Sequence, residues 1–298
     1  MTDSLFGLFP GQGSQKVGMG KKLFDEHKEA KECFEEANEI LGFSLSKLCF
    51  EGPEQELTLT KNAQPAILTA SIASFRVWCK NGGDIKNITV AAGHSLGEYS
   101  ALVASQAITL SDAVKATYQR GLFMQEAVPQ GVGGMIAVLG SETEVIEEII
   151  SQVHEGVVEI ANLNAPGQIV VAGDTKGLSL FSEKLGKIKS IPLSVSAPFH
   201  CSLMKPASEK LKLILDKISF ATPIFPVISN VTSQPHKDTS HMTQLLCEQV
   251  TSRVRWTESV LYGLNEFKVD KVIEFGEGGI LTGLMKRISS ETPRMSYP

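Results

Sequence analysis

The chain has 298 residues, 42% hydrophobic and 20% charged, with 28 Lys+Arg against 33 Asp+Glu for a formal net charge of −5. That length suits one large domain or a large and a small one, and the acidic balance is a poor basis for nucleic-acid binding, which needs a basic footprint. Five scattered cysteines make no CxxC and no cysteine–histidine cluster, so reduced thiols in a cytoplasmic setting are expected, with no metal site. No basic segment with a long apolar core opens the chain, and no run approaches the roughly 18 apolar residues of a membrane span, so neither a signal peptide nor a membrane partner is expected.

The first strand is read at Leu5 to Phe9, stopped by Pro10-Gly11. A glycine-rich loop (Gly11–Gly20) then leads into a charged helix over about Lys21–Leu41. Pro65 is expected to open a helix over Ala66–Trp78, as proline does at a first turn. Ile88–Ala92 reads as a buried strand, followed by Gly93-His94-Ser95-Leu96-Gly97-Glu98 and an alanine-rich helix. Ser111-Asp112 is expected to cap a further helix running to about Ala127.

After Pro129 the pattern changes. Strands at Met135–Gly140, Val157–Leu163, Gln168–Gly173 and Ile188–Leu193 alternate with helices at Glu142–Val153 and Lys176–Leu185. That order is βαββαβ, a ferredoxin-like unit. The expected fold class is therefore α/β: a large domain with a parallel sheet (1–128 and 193–298) carrying an inserted small domain (129–192). The large domain resumes with a helix after His200, a strand near Phe225–Ser229 and a last strand at Lys271–Phe275.

Gly93–Gly97 fits G-x-S-x-G, and its context is the required one: an apolar strand before it and a helix former after it. A sharp strand-to-helix turn needs glycine on both sides because backbone passes close. It also sets Ser95 at a helix N-terminus, where unpaired N–H groups favour developing negative charge. An ordinary glycine-flanked turn is the plain alternative. A nucleophilic serine needs a base. His27 and His154 lie among glutamates on solvated faces, His236 and His241 in a polar loop, and His94 inside the turn, where it is expected to support the loop. His200 sits where the chain leaves the small domain for the large one, the place for a cleft; a packed histidine at a domain seam is the alternative. No Asp or Glu is evidently placed to orient it, and a backbone carbonyl would serve equally well.

On the helix over Ser111–Ala127, Arg120 falls in the middle of a stripe of Ala113, Ala116, Thr117, Phe123, Met124 and Ala127, with Lys115, Gln119 and Glu126 opposite. An arginine on the buried stripe requires an acceptor. A protein carboxylate and a substrate carboxylate are equally open, the latter suiting a planar guanidinium through paired hydrogen bonds. The loop Phe9–Gln15 is neither a dinucleotide fingerprint nor a P-loop, since the third glycine and the Lys-Ser/Thr are missing. It is suited instead to giving a backbone N–H to an oxyanion, beside that of Leu96.

Seven motifs in order, FPGQGSQ (Phe9–Gln15), GHSLGEYSAL (Gly93–Leu102), YQRGLFMQ (Tyr118–Gln125), ANLNAPGQIVVAG (Ala161–Gly173), APFHCSLM (Ala197–Met204), QVTSRVRW (Gln249–Trp256) and GILTGLMKR (Gly279–Arg287), resemble the malonyl-CoA:acyl carrier protein transacylase family across essentially the whole chain. The resemblance implies an α/β-hydrolase-like large domain and a ferredoxin-like small one. It implies Ser95 as the acylated nucleophile, His200 as its base, Arg120 on the malonyl carboxylate, Gln12 and Leu96 N–H groups as the oxyanion hole, and the Gln249 carbonyl orienting His200. The implied reaction is ping-pong transfer from malonyl-CoA to the phosphopantetheine thiol of acyl carrier protein in fatty-acid biosynthesis, by a cytoplasmic monomer with no cofactor or metal. Two departures, Arg253 where proline is usual and Gly276-Glu277-Gly278-Gly279 for a Gly-Pro-Gly turn, touch loop geometry only. Phe199 resembles the malonyl-selective members.

Three other readings use the same residues: a discrete acyltransferase loading a polyketide synthase, a serine esterase or thioesterase, and a non-catalytic scaffold for the carrier protein. Arg120 speaks against the esterase, where it has no role with a plain acyl ester. Carrier proteins of this kind are acidic. Residues 184–217 carry seven lysines against Glu209 and Asp216, a net of +5, and this stretch is the expected docking face, with a merely solvated lysine face as the alternative.

Overall fold

In the computed structural model, residues 3–129 and 131–298 are described; Met1, Thr2 and Gln130, on which the expected domain limits and N-terminus partly fall, lie outside them. Among the described residues, nine strands form two sheets. In chain order they are β1 (Leu5–Phe9), β2 (Ile88–Gly93), β3 (Gly133–Leu139), β4 (Val158–Ala165), β5 (Gln168–Asp174), β6 (Lys189–Pro192), β7 (Val227–Ile228), β8 (Lys271–Phe275) and β9 (Arg294–Tyr297). The first sheet is wholly parallel, in the order β7-β2-β1-β8-β9, and the second wholly antiparallel, in the order β4-β5-β3-β6. The chain thus has an α/β fold with one parallel and one antiparallel sheet.

The central strands β1 and β2 of the parallel sheet are largely apolar on both faces, as strands covered on both sides by helices must be. Leu5, Phe9, Ile88 and Ala91 face one core, built around the almost wholly buried helix Thr60–Lys80. Phe6, Leu8, Val90 and Ala92 face a second core with Trp256, Val260 and Leu281. In the antiparallel sheet, Ile136, Val138, Ile160 and Val171 pack under the sheet's own helices, Thr143–Ser151 and Thr175–Leu185. Its alternate positions, Met135, Ala161, Val170 and Ala172, join the first core. The period-two alternation of a strand therefore serves two partners at once.

Four local expectations are corrected. Lys21–Leu41 is two helices, Lys21–Glu26 and Lys28–Leu41, because His27 adopts extended backbone (φ −132°, ψ 126°). Pro65 lies inside the helix Thr60–Lys80, which starts more than a turn earlier; there it forfeits only one backbone hydrogen bond, close to the helix start. The helix carrying Arg120 starts at Leu110 and is capped by Thr109, whose Oγ1 accepts from Asp112 N at 3.0 Å, not by Ser111-Asp112. Lys271–Phe275 is not the last strand, since β9 pairs parallel to it. His236 lies in a polar loop as read, yet its side chain is buried there.

The helices Thr60–Lys80 and Leu110–Glu126 approach so closely at Gly121 that a Cβ there would lie 2.4 Å from Thr60 O. That approach brings Arg120 and Gln64 together. Gly121→Ala should destabilise the fold by about 1–3 kcal/mol, since backbone, not a flexible side chain, must move; an unchanged urea midpoint would contradict this.

Candidate active site

The parallel pairing of β1 with β2 sets Phe9 opposite Gly93, so the loop after β1 and the turn after β2 emerge side by side. At that turn Ser95 takes φ +53°, a strained position for a residue with a Cβ. The flanking glycines are forced by contact: a Cβ on Gly93 would fall 1.8 Å from Gly97 C, and one on Gly97 would fall 2.1 Å from Phe9 O. The backbone N–H of Ser95 donates to Asn230 Oδ1 at 2.7 Å, and Asn230 Nδ2 donates back to Gly93 O at 2.8 Å. Asn230, just beyond β7, thereby stitches the turn to the neighbouring strand end.

Ser95 Oγ lies 2.8 Å from His200 Nε2, and His200 Nδ1 lies 2.8 Å from the carbonyl oxygen of Gln249. A carbonyl can only accept, so Nδ1 carries the proton and Nε2 is free to take that of Ser95. Burial, and then the charge of Arg120, hold His200 well below the usual histidine value, at about 3. The imidazole is therefore neutral at physiological pH and ready as a base.

Arg120 is 1% exposed and has no carboxylate partner among the described residues. Its Nη1 donates to Gln64 Oε1 at 2.7 Å, and its Nη2 to Gln249 Oε1 at 2.9 Å and Ser95 Oγ at 3.1 Å. The Tyr99 ring lies 5.8 Å from its guanidinium carbon. The protein carboxylate that spacing left open as a partner is thus not the one found. The backbone N–H groups of Gln12 and Leu96 have no backbone or side-chain acceptor among the described residues, and both residues line the same cavity as Ser95, His200 and Arg120. That cavity, of about 340 Å³, lies between the sheets, with Met135, Asn162 and Val170 contributed by the antiparallel one. The arrangement can do acyl transfer: an activated hydroxyl, a neutral base, two free N–H donors and a cation for an anionic acyl group.

The acyl transferase domain family matches residues 7–275. A malonyl CoA-acyl carrier protein transacylase of Bacillus subtilis is 48% identical to this chain, over 95% of it and 89% of the relative. The chain belongs to the malonyl CoA-acyl carrier protein transacylase family. The crystal structure of that transacylase from Clostridium perfringens aligns with a TM-score of 0.94 at 42% identity, covering 98% of this chain and 92% of that one. A malonyl-transacylase solved in complex with its type II PKS acyl-carrier protein aligns with a TM-score of 0.94 at 39% identity, over 98% of this chain and 95% of that one.

In this transacylase chain all six sequence-derived candidates, Gln12, Ser95, Leu96, Arg120, His200 and Gln249, converge at one place. Sequence reasoning missed Gln64, Asn230 and Glu98. Glu98 stands in the helix Gly97–Ala104, every residue of which is buried, and a carboxylate in an apolar run needs partners; that signal was available. His94 supports the turn as expected, with Nε2 2.8 Å from Asn164 Oδ1. Of the two departures, Arg253 points outward to Glu147 at 2.7 Å, and Glu277 binds Lys16 Nζ at 2.8 Å and Gly20 N at 2.8 Å, tying its loop to the one after β1.

A depressed base pKa extends activity to lower pH, because the active form is the neutral one. The rate of Ser95 acylation by an acyl thioester, followed by rapid quench, should therefore hold its plateau from about pH 8 down to about pH 5. An acid inflection near the ordinary histidine value would contradict the geometry.

Proposed function

We propose that this chain carries out its malonyl transfer by a two-step exchange at Ser95. His200 takes the Ser95 proton as Oγ attacks the thioester carbonyl of malonyl-CoA, and the N–H groups of Gln12 and Leu96 receive the oxyanion. Collapse expels the CoA thiolate, to which His200 returns the proton. The phosphopantetheine thiol of acyl carrier protein then loses its proton to His200, attacks the malonyl-serine ester and leaves as the malonyl thioester, with the proton restored to Ser95. Loss of one oxyanion donor typically costs about 10²–10³ in rate. No metal or redox cofactor enters these steps.

The observation that carries this reading is Arg120, a buried guanidinium without a carboxylate partner among the described residues, its Nη2 3.1 Å from Ser95 Oγ. In a malonyl group one methylene separates the carboxylate from the reacting carbonyl, so an acid held by Arg120 lies within reach of Ser95 Oγ. A plain acyl ester has no group for that charge, which disfavours the esterase and thioesterase readings.

We read 1–128 with 193–298 as an α/β-hydrolase-like unit and 129–192 as a ferredoxin-like insert, supported by the βαββαβ order and by the strand order β4-β5-β3-β6. Among the described residues, no helix is long and apolar enough to cross a membrane. A cytoplasmic monomer supplying fatty-acid synthesis is our reading; the solved complex of a relative with a polyketide carrier protein keeps the polyketide role as the second.

All seven lysines of 184–217 are exposed, and we read this stretch as the face that receives the acidic carrier protein. Lys205→Glu with Lys210→Glu should raise the KM for carrier protein severalfold at low salt and leave the rate of self-acylation by malonyl-CoA alone unchanged. An unchanged KM would remove this face from the proposal.

The central test is intact-mass measurement. After malonyl-CoA, one malonyl group should appear on the protein, map to Ser95, be absent from Ser95→Ala, and move to carrier protein when that is added. Continuous release of free malonate without carrier protein would favour a hydrolase instead, and an unlabelled Ser95 a scaffold.

A further inference from the structure

Glu98 does not line the cavity, yet it is completely buried within one hydrogen-bond relay of its most important charge. Its Oε2 accepts from Asn230 N at 2.9 Å and from Gln249 Nε2 at 2.7 Å, while its Oε1 lies 2.8 Å from His236 Nε2, whose side chain is also fully buried. Gln249 spans the gap to Arg120. Its Nε2 faces the carboxylate of Glu98 and the carbonyl of Ser95 at 3.0 Å, and its Oε1 faces Arg120 Nη2 at 2.9 Å.

The orientation of that amide is not free. A carboxylate only accepts and a guanidinium only donates, so the reversed amide would set oxygen against oxygen and N–H against N–H. Glu98 therefore dictates which end of Gln249 meets Arg120. It also brings a negative charge close to Arg120 without occupying the guanidinium, which a carboxylate in direct contact would do at the expense of an anionic substrate.

We infer that Glu98 is a positioning residue for acyl selectivity: through the Gln249 amide it aims and balances Arg120, so that preference for a malonyl over an uncharged acyl group depends on a carboxylate that never meets the substrate. This rests on the reading that Arg120 binds the malonyl carboxylate. Asn230, held by the same Oε2, couples Glu98 to the Ser95 turn as well, so part of any loss falls on every substrate alike. The selectivity ratio isolates the part carried through Arg120.

The test compares kcat and KM for malonyl-CoA and acetyl-CoA in four proteins: Glu98→Gln, Gln249→Met, the double variant and Arg120→Ala. Gln249→Met keeps the backbone carbonyl that orients His200 and removes only the amide. The ratio of kcat/KM for malonyl-CoA to that for acetyl-CoA should fall roughly tenfold or more in each single variant, on the scale of one lost charge-assisted hydrogen bond, chiefly through a higher malonyl KM. The double variant should be no worse in this ratio than the poorer single, because both break one relay. A ratio unchanged or raised in Glu98→Gln, or additive losses in the double variant, overturns the inference. Should Glu98→Gln fail to fold, Gln249→Met decides: parallel losses on both substrates would show a structural role only. Arg120→Ala separates the two levels. If it keeps the malonyl preference, the carboxylate reading itself fails; if it alone loses that preference, only the relay does.

Discussion

The guanidinium of Arg120 is buried with no carboxylate against it among the described residues, and the way its charge is accommodated governs much of the site. Withdrawing an ion from water costs several kcal/mol even after relaxation. Here the charge is met by two amide oxygens, by the hydroxyl of Ser95 and by the Tyr99 ring, a contact that contributes about 2 kcal/mol when desolvated. Neutral acceptors steady the group without cancelling it, so the cavity keeps a positive field. That field has two consequences from a single cause. It favours an anionic acyl group, and it presses the proton off His200, whose lowered pKa has the Arg120 charge as its second cause after burial. The same side chain thus faces the acyl cavity and adds to the effect of burial on His200.

Holding a cation, a nucleophile and a base in so small a volume depends on backbone that cannot shift. The carboxyl ends of β1, β2 and β7 are neighbours in a parallel sheet, the edge of open α/β sheets where ligands bind. The loop with Gln12 leaves the first of these strands, the Ser95 turn the second, and Asn230 follows the third. Both free N–H donors, of Gln12 and Leu96, belong to the main chain and are held by strand ends, so they need no side-chain ordering when an oxyanion forms. The strain at Ser95 is sustained because Asn230 and the glycine contacts determine the turn from both sides.

Ser95, His200 and Arg120 were legible in the sequence because each broke a local expectation: a serine between glycines at a strand end, a histidine at the seam between two patterns, a charge on an apolar stripe. The strands were legible for the same reason, from short apolar runs closed by glycine or proline. What escaped were features whose cause lies elsewhere in the chain. Nothing near Asn230 announces that its side chain pins a turn formed by residues far earlier. His236 sits among Ser, Gln, Lys and Asp, yet its backbone N–H bonds Val227 O at 2.9 Å and its ring meets Glu98, so tertiary pairing buries a locally polar segment. Thr109 displaced Ser111 as a cap because the helix begins earlier, where local propensity alone does not separate neighbouring capping residues. β9 is a short, mostly polar edge strand recognisable only by its pairing with β8.

The segment Gln249–Trp256 shows how the two sheets are kept in register around the cavity. Its first residue orients His200 through the carbonyl and Arg120 through the side chain. Five residues on, Val254 exchanges backbone hydrogen bonds with the antiparallel sheet, donating to Ala161 O at 2.8 Å and accepting from Leu163 N at 2.9 Å. Arg255 N then donates to Asn230 O at 3.1 Å, and the Trp256 ring lies 5.4 Å from that of His94. One stretch of chain therefore touches His200, Arg120, the Asn230 that holds the Ser95 turn, and β4, whose Asn162 and Asn164 line the cavity. Swinging the antiparallel sheet away from the nucleophile would break these main-chain bonds. Arg253 fits this account: its side chain points outward to Glu147, so the position can depart from the family's proline while its neighbours hold the wall and the base in place.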